Sequence, residues 1–157
     1  MYKAEEDGIT HINCYSKGAT RLGRLLSNFA HSPFEIAGVA YASMEARWFE
    51  LCTPKASPAN HAVLRSQHGF SAKQTGKRLR DLEGCQVDTA SAEFQLQVRQ
   101  SLKCKLRFTC VKGGQFERST LPLAHYYVYG PKVVPAGHQW LIGMLEDLRR
   151  EFPEDLW

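Results

Sequence analysis

One acidic side chain occupies a position from which a carboxylate could act on a bound molecule. Ser43 is a residue type that favours the start of a helix, and Met44, Trp48 and Leu51 then follow at helical spacing. Glu45 is therefore expected in the first turn of a helix, where exposed N–H groups and the helix dipole favour the charged carboxylate. An acid in a first turn is also common as a purely local stabilising residue, so both interpretations stay open.

The same spacing predicts where Glu45 lies relative to the core. Glu45, Phe49 and Cys52 form a second stripe beside the apolar one on this helix. If the stripe of Met44 faces the core, the stripe of Glu45 lies at its edge, where a pocket could open.

Basic side chains that could bind a phosphate or carboxylate occur in two places. Arg21 and Arg24 lie in segment 17–25, which is rich in Gly and Arg and is predicted to be a loop. Lys73 and Lys77 lie in a segment that is predicted to be helical. For all four, a solvated surface position is the alternative interpretation.

The elements that would position these residues predict an α+β fold. Short strands near Ile12, Phe34, Val39 and Tyr126 are expected to form a small antiparallel sheet packed against several helices. Segments 44–52, 60–67 and 71–79 are predicted helices, followed by 90–110 and by a terminal helix that Pro153 stops. A capping box is predicted at the start of the third of these, formed by Ser71 and Gln74.

The longest predicted helix, Ala90–Cys110, has two different faces. Its apolar face repeats at steps of four residues, through Phe94, Val98, Leu102 and Leu106. The other face is expected to be a solvated basic surface without the interleaved aromatics of a nucleic-acid interface, and it carries Arg99, Lys103, Lys105 and Arg107.

Length and composition are those of an ordinary globular domain. The chain has 157 residues, of which 43% are hydrophobic and 23% charged, and it is predicted to form one domain over 1–157 with a flexible arm at 1–8. No apolar run approaches the length of a membrane span, and the acidic N-terminus does not resemble a signal peptide. A cytoplasmic location without membrane association is expected.

Cysteine, histidine and charge counts exclude several kinds of site. The five cysteines are odd in number and contain no Cys-x-x-Cys pair, which argues against a disulfide framework and a zinc site. The six histidines lack metal-ligand spacing, so neither a metal nor a cofactor is expected. The net charge of +4 would suit an anionic ligand without establishing nucleic-acid binding.

Several short motifs, taken in order, resemble a known family. The run Ser27-Asn28-Phe29, then Pro33-Phe34, then Gly38 and Tyr41-x-Ser43-x-Glu45, resembles the signature of the NADAR superfamily (NAD and ADP-ribose associated, also called YbiA-like). Residues 12–16 are similar to its opening strand, and Ala72-Lys73-x-x-Gly76-Lys77 is similar to a helix beside its site. Near the C-terminus, Tyr129-Gly130-Pro131 and Gly137-His138-Gln139 resemble two family turns that precede its last helix.

Three positions depart from the family pattern. Ala46 stands where the family usually has a His, and Pro131 stands at the Asp of a family turn. Counting without gaps places Cys52 at a lysine of the family. A Cys flanked by apolar residues should hold its proton, so Cys52 could replace that lysine only as a thiolate that is not expected here.

The resemblance implies hydrolysis of an N-glycosidic bond to a ribosyl group, in ADP-ribose derivatives or phosphorylated riboflavin precursors, with Glu45 as the catalytic carboxylate. A second hypothesis is a catalytically impaired binding module that sequesters an NAD-derived or ADP-ribose-like nucleotide. Nucleic acid is expected only as an ADP-ribosylated substrate, and the oligomeric state stays open. The expected ligand-binding residues are Arg21, Arg24, Ser27, Asn28, Phe29, Ser43, Trp48, Cys52, Lys73, Lys77, Tyr127, Tyr129, Gly130 and Gln139.

Overall fold

The computed structural model describes residues 1–85, 87–109 and 115–152. Within these residues, helices are accompanied by three two-stranded sheets, which confirms the predicted α+β class. The chain divides into two compact units, which we call unit 1 (Met1–Ser27 with Cys110–Trp157) and unit 2 (Asn28–Thr109). The prediction of a single domain over 1–157 stays a prediction.

Unit 2 contains a hairpin and four helices. Its elements are β2 (Phe34–Ile36), β3 (Val39–Tyr41), α2 (Met44–Cys52), α3 (Pro58–Arg65), α4 (Gly69–Glu83) and α5 (Ala92–Thr109). The hairpin is antiparallel and turns at Ala37 and Gly38, which both have positive φ (51° and 76°), as a tight two-residue hairpin requires. Helix α2 begins and ends as predicted, since the Ser43 hydroxyl accepts the Ala46 N–H at 3.1 Å and α2 stops at Cys52.

Helix α4 starts two residues earlier than the sequence predicts. The capping box of Ser71 and Gln74 is wrong, because the cap position is His68, which makes no side-chain capping bond. A tertiary contact fixes the start instead: the Gly69 N–H donates to the Phe29 carbonyl at 3.0 Å.

The packing of α2 differs from the expectation that only the stripe of Met44 faces the core. Met44 is fully buried, but Phe49 and Cys52 from the other stripe are also buried. The reason is that α2 contacts α3, α4 and α5, so it is covered on several sides. Gly76 in α4 makes this possible, because a Cβ there would lie 2.0 Å from the Phe49 ring.

Helix α5 confirms its predicted apolar face and corrects its basic one. Phe94, Val98, Leu102 and Leu106 are all buried, and Cys110 of the predicted range lies outside the described residues. The expectation of a solvated face is wrong for Lys105, whose side chain is fully buried.

Unit 1 contains the other described elements. They are β1 (Ile12–Asn13), α1 (Arg21–Leu26), α6 (Gln115–Arg118), β4 (Leu123–Ala124), β5 (Tyr126–Tyr129), β6 (Lys132–Pro135) and α7 (Trp140–Glu151), after a 3-10 turn at Ala4–Glu6. Strand β1 pairs with β4 in parallel, while β5 and β6 form an antiparallel hairpin. The four predicted strands therefore do not share one antiparallel sheet, since each described sheet has two strands.

Two further segments of unit 1 differ from the sequence predictions. Segment 17–25, predicted to be a loop, contains α1, because Thr20 caps it by accepting the Gly23 N–H at 2.9 Å while Leu22 and Leu26 are buried. Segment 1–8, expected to be a flexible arm, is tied by Asp7, which accepts N–H groups of Asn13 (2.9 Å) and Ala19 (2.7 Å).

The terminal helix is confirmed in α7. Leu141, Leu145, Leu148 and Phe152 are buried along one stripe, and Pro153 lies outside the described residues. In the part of the chain that the structure describes, no helix combines the length and apolar character that crossing a membrane would need.

Candidate functional site

A short turn in unit 2 holds the starts of two helices together. The Asn28 carbonyl accepts the Glu45 N–H at 2.9 Å, and the Phe29 carbonyl accepts the Gly69 N–H at 3.0 Å. These bonds satisfy N–H groups at the starts of α2 and α4, which would otherwise need other acceptors. The Asn28-Phe29 turn therefore fixes Glu45 relative to the beginning of α4.

Three lysines from two helices lie near enough to Glu45 for their charges to act on its carboxyl group. Lys73 and Lys77 lie one turn apart on α4, half-buried and exposed respectively, and Lys105 comes from α5. The Lys73 ammonium lies 5.5 Å from the centre of the Phe29 ring, at cation–π distance, which holds it above the turn. The structure thus brings together the predicted residues Phe29, Glu45, Lys73 and Lys77.

The protonation of Glu45 departs from the sequence expectation. Burial raises the pKa of Glu45 to about 7, while the positive charges of Lys73, Lys77 and Lys105 act in the opposite direction. The helix start was expected to favour the charged form, but removal of the carboxyl group from water outweighs it. Glu45 can consequently exchange a proton near neutral pH.

Lys105 is a site residue that the sequence did not reveal. It is fully buried, and its charge lowers the pKa of Glu45, so its ammonium group lies within electrostatic range of that carboxyl. Lys103 and Arg107 belong to the same basic pattern, so the sequence does not distinguish the buried Lys105 from these neighbours. The one available signal is its position between the buried residues Leu102 and Leu106, which widens the apolar face of α5.

Three other predicted residues of unit 2 serve the packing and capping of α2. Trp48 packs edge-on against Phe94, with ring centres 4.9 Å apart. The Ser43 hydroxyl caps α2 and also donates to the Gln67 carbonyl at 2.9 Å. Burial, and then the neighbouring Cys85 thiol, raise the pKa of Cys52 to about 12, so Cys52 keeps its proton as expected.

Helix α2 also carries a second acidic group, Glu50, which no sequence pattern singles out. Its carboxylate accepts a hydrogen bond from Arg65 Nε at 2.9 Å, with Arg47 at 3.8 Å and His61 Nδ1 at 3.5 Å. Burial alone would raise the pKa of Glu50, but hydrogen bonding from Arg65 and the charges beside it lower the pKa.

Two of the predicted residues at α1, Arg24 and Ser27, make hydrogen bonds to backbone carbonyls of unit 1. Arg24 donates from Nη1 to the carbonyls of Gly18 and Ala19, both at 2.9 Å. Ser27 is buried, and its N–H caps α1 by donating to the Gly23 carbonyl at 3.2 Å. Arg21 is exposed on the first turn of α1.

The predicted residues near the C-terminus lie on or next to the β5–β6 hairpin. Tyr127 makes an edge contact with Tyr15 at 5.5 Å between ring centres, and Tyr129 is exposed. Gly130 has φ 57° in the turn. The Gln139 amide donates to two carbonyls, those of His125 (3.0 Å) and Ala136 (2.7 Å), so it holds the start of α7.

Unit 1 contains a cleft that the sequence did not predict. Its volume is about 300 Å³. None of the predicted ligand-binding residues lines it; its walls are formed by Ala4, Asp7, Asn13, Tyr15, Lys17, Gly18, Ala19, Tyr126 and Val128. Both oxygens of Asp7 accept backbone N–H groups, so the acid in this wall is committed to holding the chain.

Among residues 1–85, 87–109 and 115–152, no group of three or more His, Cys, Asp or Glu side chains is arranged to hold a metal ion. Neither a protein-family model, nor a curated protein, nor a solved structure matches the chain. The function is therefore inferred from the site residues themselves and from the motif resemblance.

Proposed function

We propose that this protein hydrolyses the N-glycosidic bond of a ribosylated nucleotide, an ADP-ribose derivative or a phosphorylated riboflavin precursor, with Glu45 as the catalytic carboxylate. The observation that carries the proposal is the setting of Glu45. It lies in the first turn of α2, half-buried, with its pKa raised to about 7 by burial in spite of the charges of Lys73, Lys77 and Lys105.

This setting suits the chemistry of N-ribosyl cleavage. Departure of the base develops positive charge on the sugar ring, which an adjacent carboxylate stabilises. A carboxylate with a pKa near 7 also takes a proton from water at neutral pH more effectively than one with an ordinary pKa. In the proposed complex, Lys73 and Lys77 bind the phosphate groups of the substrate.

The proposal gives no chemical step to Cys52. Its thiol has a pKa of about 12, so the thiolate is scarce at neutral pH. A cation beside Glu45 is nevertheless present, because Lys105 supplies a buried ammonium group from α5. In the proposed site Lys105 is a positioning residue for the Glu45 carboxylate.

A binding module that sequesters the same class of nucleotide is the second candidate. The protonated Cys52 favours it, since the family lysine at this position has no chemical equivalent there. Three lysines around one acid would also retain an anion without any turnover. For either candidate we also propose that the protein is cytoplasmic and is not associated with a membrane. Nucleic acid is a partner in this proposal only as an ADP-ribosylated substrate.

One assay separates the two candidates. A panel of ribosylated nucleotides is incubated with the wild-type protein and analysed by mass spectrometry for free base, while calorimetry measures binding. Release of a base supports hydrolysis, and tight binding without release supports the binding module. If no member of the panel is bound or cleaved, both proposals are wrong. Glu35→Gln, which removes an exposed carboxylate on β2, is the matched control for changes at Glu45.

A further inference from the structure

We propose that Cys52 and Cys85 form a reversible intramolecular disulfide when the protein meets hydrogen peroxide. The inference is independent of the proposed function. It makes the pair a modification site at the ends of two packed helices, α2 and α4. A single reversible pair is compatible with an odd number of cysteines, which argues only against a permanent disulfide framework.

The geometry brings the two cysteines together. Cys52 is the last residue of α2, and Gly84, with φ 64°, ends α4 in a left-handed conformation that reverses the chain. The next residue, Cys85, places its Sγ 3.3 Å from the Cys52 carbonyl oxygen. The Cys85 sulfur therefore lies against the backbone of Cys52, which is the kind of proximity that a disulfide needs.

The electrostatics of Cys52 agree with this placement of the two thiols. After burial, the next causes that raise the pKa of Cys52 are the charge of Cys85 and a hydrogen bond with its side chain. Both cysteines are free thiols in the structure. A hydrogen bond between the two side chains requires the thiol groups to lie close together.

The two thiols differ in access to solvent, which sets the order of the reaction. Cys85 is exposed, whereas Cys52 is buried with 4% of its surface accessible. A small oxidant therefore reaches Cys85 first. Cys52 is in place to resolve the product before a second oxidant molecule arrives.

The proposed reaction balances in two steps. The Cys85 thiolate attacks one oxygen of hydrogen peroxide, the O–O bond breaks, and Cys85 sulfenic acid and hydroxide form. The hydroxide takes the proton of the Cys52 thiol and becomes water, and the Cys52 thiolate formed in this way attacks the Cys85 sulfur, so that the S–S bond forms and the S–O bond breaks. The oxygen departs as hydroxide and takes up the proton that Cys85 released, which gives the second water molecule. Two thiols and one peroxide give one disulfide and two water molecules.

The disulfide would fix the end of α2 to the end of α4. It closes a chain segment between positions 33 apart in sequence. Closing a loop of this length restricts the unfolded chain, and we expect the melting temperature to rise by roughly 5–10 °C. Dithiothreitol should reverse the change, because a thiol reductant reopens an accessible disulfide.

The test oxidises the full-length native protein with hydrogen peroxide at low protein concentration. Peptide mapping without reduction should find Cys52 linked to Cys85, with the intact mass lower by two hydrogen atoms. Cys85→Ser should abolish both the linked peptide and the rise in melting temperature, and it spares the buried Cys52. Cys104→Ser, which removes a half-buried thiol on α5, should retain both.

Other products would overturn the inference. Sulfinic or sulfonic acid at Cys85 without a linked peptide would show that Cys52 does not resolve it. A Cys85 disulfide between two chains, or a linkage of Cys85 to another cysteine, would show that the pairing is different. A linked peptide that forms equally in urea would show that the folded geometry does not direct the reaction.

Discussion

Glu45 and Glu50 lie on one helix, α2, yet their pKa values shift in opposite directions. Burial raises the pKa of Glu45 to about 7. Glu50 is also buried, but hydrogen bonding from Arg65 and nearby positive charges overcome that burial and lower its pKa. Both acids therefore have cationic neighbours. Those of Glu50 supply hydrogen bonds as well as charge, whereas those of Glu45 act through their charge alone.

The comparison shows that a direct guanidinium hydrogen bond and an ammonium charge at a distance have different consequences. The planar guanidinium of Arg65 donates to Oε1 of Glu50 through Nε at 2.9 Å and through Nη2 as well, which compensates for burial at that oxygen. The other oxygen, Oε2, makes no hydrogen bond with the described residues and lies 3.8 Å from Nη1 of Arg47. The three lysines act on Glu45 through their charges, and these do not compensate fully for burial. Glu50 therefore stays charged at neutral pH, whereas Glu45 is able to exchange a proton.

The largest effect is expected from removing the fixed charge. Glu50→Gln should lower the free energy of unfolding by about 3–5 kcal/mol, because it leaves Arg65 and Arg47 without their buried counter-charge. Urea denaturation followed by circular dichroism measures the change. Glu35→Gln, at an exposed position on β2, should leave the midpoint nearly unchanged. An equal, small effect of both variants would show that the Glu50 cluster does not stabilise the fold.

Glu45→Gln should act on chemistry rather than on folding. If the protein is an N-glycosidase, turnover should fall about 100-fold or more while substrate binding stays within a few-fold, because only the transition state needs the carboxylate. In wild type, kcat/KM should rise with pH through about 7 as Glu45 ionises. Equal turnover of wild type and Glu45→Gln would remove Glu45 from the catalytic role.

Stability should depend on pH with opposite signs at the two acids. The pKa of Glu45 is raised from 4.5 to about 7 in the folded chain. The stability that depends on the protonated carboxyl is therefore fully present below pH 4.5 and is lost as the pH rises through about 7. The side chain of Glu45→Gln stays neutral at every pH. The free energy of unfolding of this variant should therefore exceed that of wild type by about 1–3 kcal/mol at pH 8 and equal it at pH 4. For Glu50, with its lowered pKa, stability is lost as pH falls.

Thermal melts of both variants across this pH range measure the two slopes. Glu35→Gln serves again as the control for the loss of one carboxylate. If Glu45→Gln shows no advantage at pH 8, the carboxyl of Glu45 is better solvated than its half-buried position implies.

Local patterns in the sequence predicted many elements correctly because local interactions determine them. Ser43 caps α2. The apolar face of α5 keeps its predicted spacing of four residues through Phe94, Val98, Leu102 and Leu106, which are all buried. The errors occur where contacts between residues distant in sequence determine the start of a helix or the pairing of a strand. Phe29 sets the start of α4, and the parallel pairing of β1 with β4 depends on a partner more than a hundred residues away.

The candidate site divides in the same way. The position of Glu45 in a first turn follows from helical spacing, but its raised pKa depends on burial by neighbouring helices. Lys105 looks like its solvated neighbours until α5 is packed, and Gly76 shows its purpose only against the Phe49 ring. The prediction that Arg24 binds a ligand stays a prediction, and the sequence does not show that its Nη1 donates to two carbonyl groups.

The smallest expected effect distinguishes the lysines around Glu45. Lys73 is half-buried and acts on Glu45 more strongly than the exposed Lys77, so Lys73→Gln should raise the pKa of Glu45 further than Lys77→Gln does. Each loss corresponds to about 0.2–1 kcal/mol of charge interaction. Carbon-detected NMR titration of the Glu45 carboxyl measures both. Added salt should weaken the contribution of Lys77 more, since solvent ions screen an exposed charge better. A larger shift in Lys77→Gln would place Lys77, and not the lysine above Phe29, as the main cation facing Glu45.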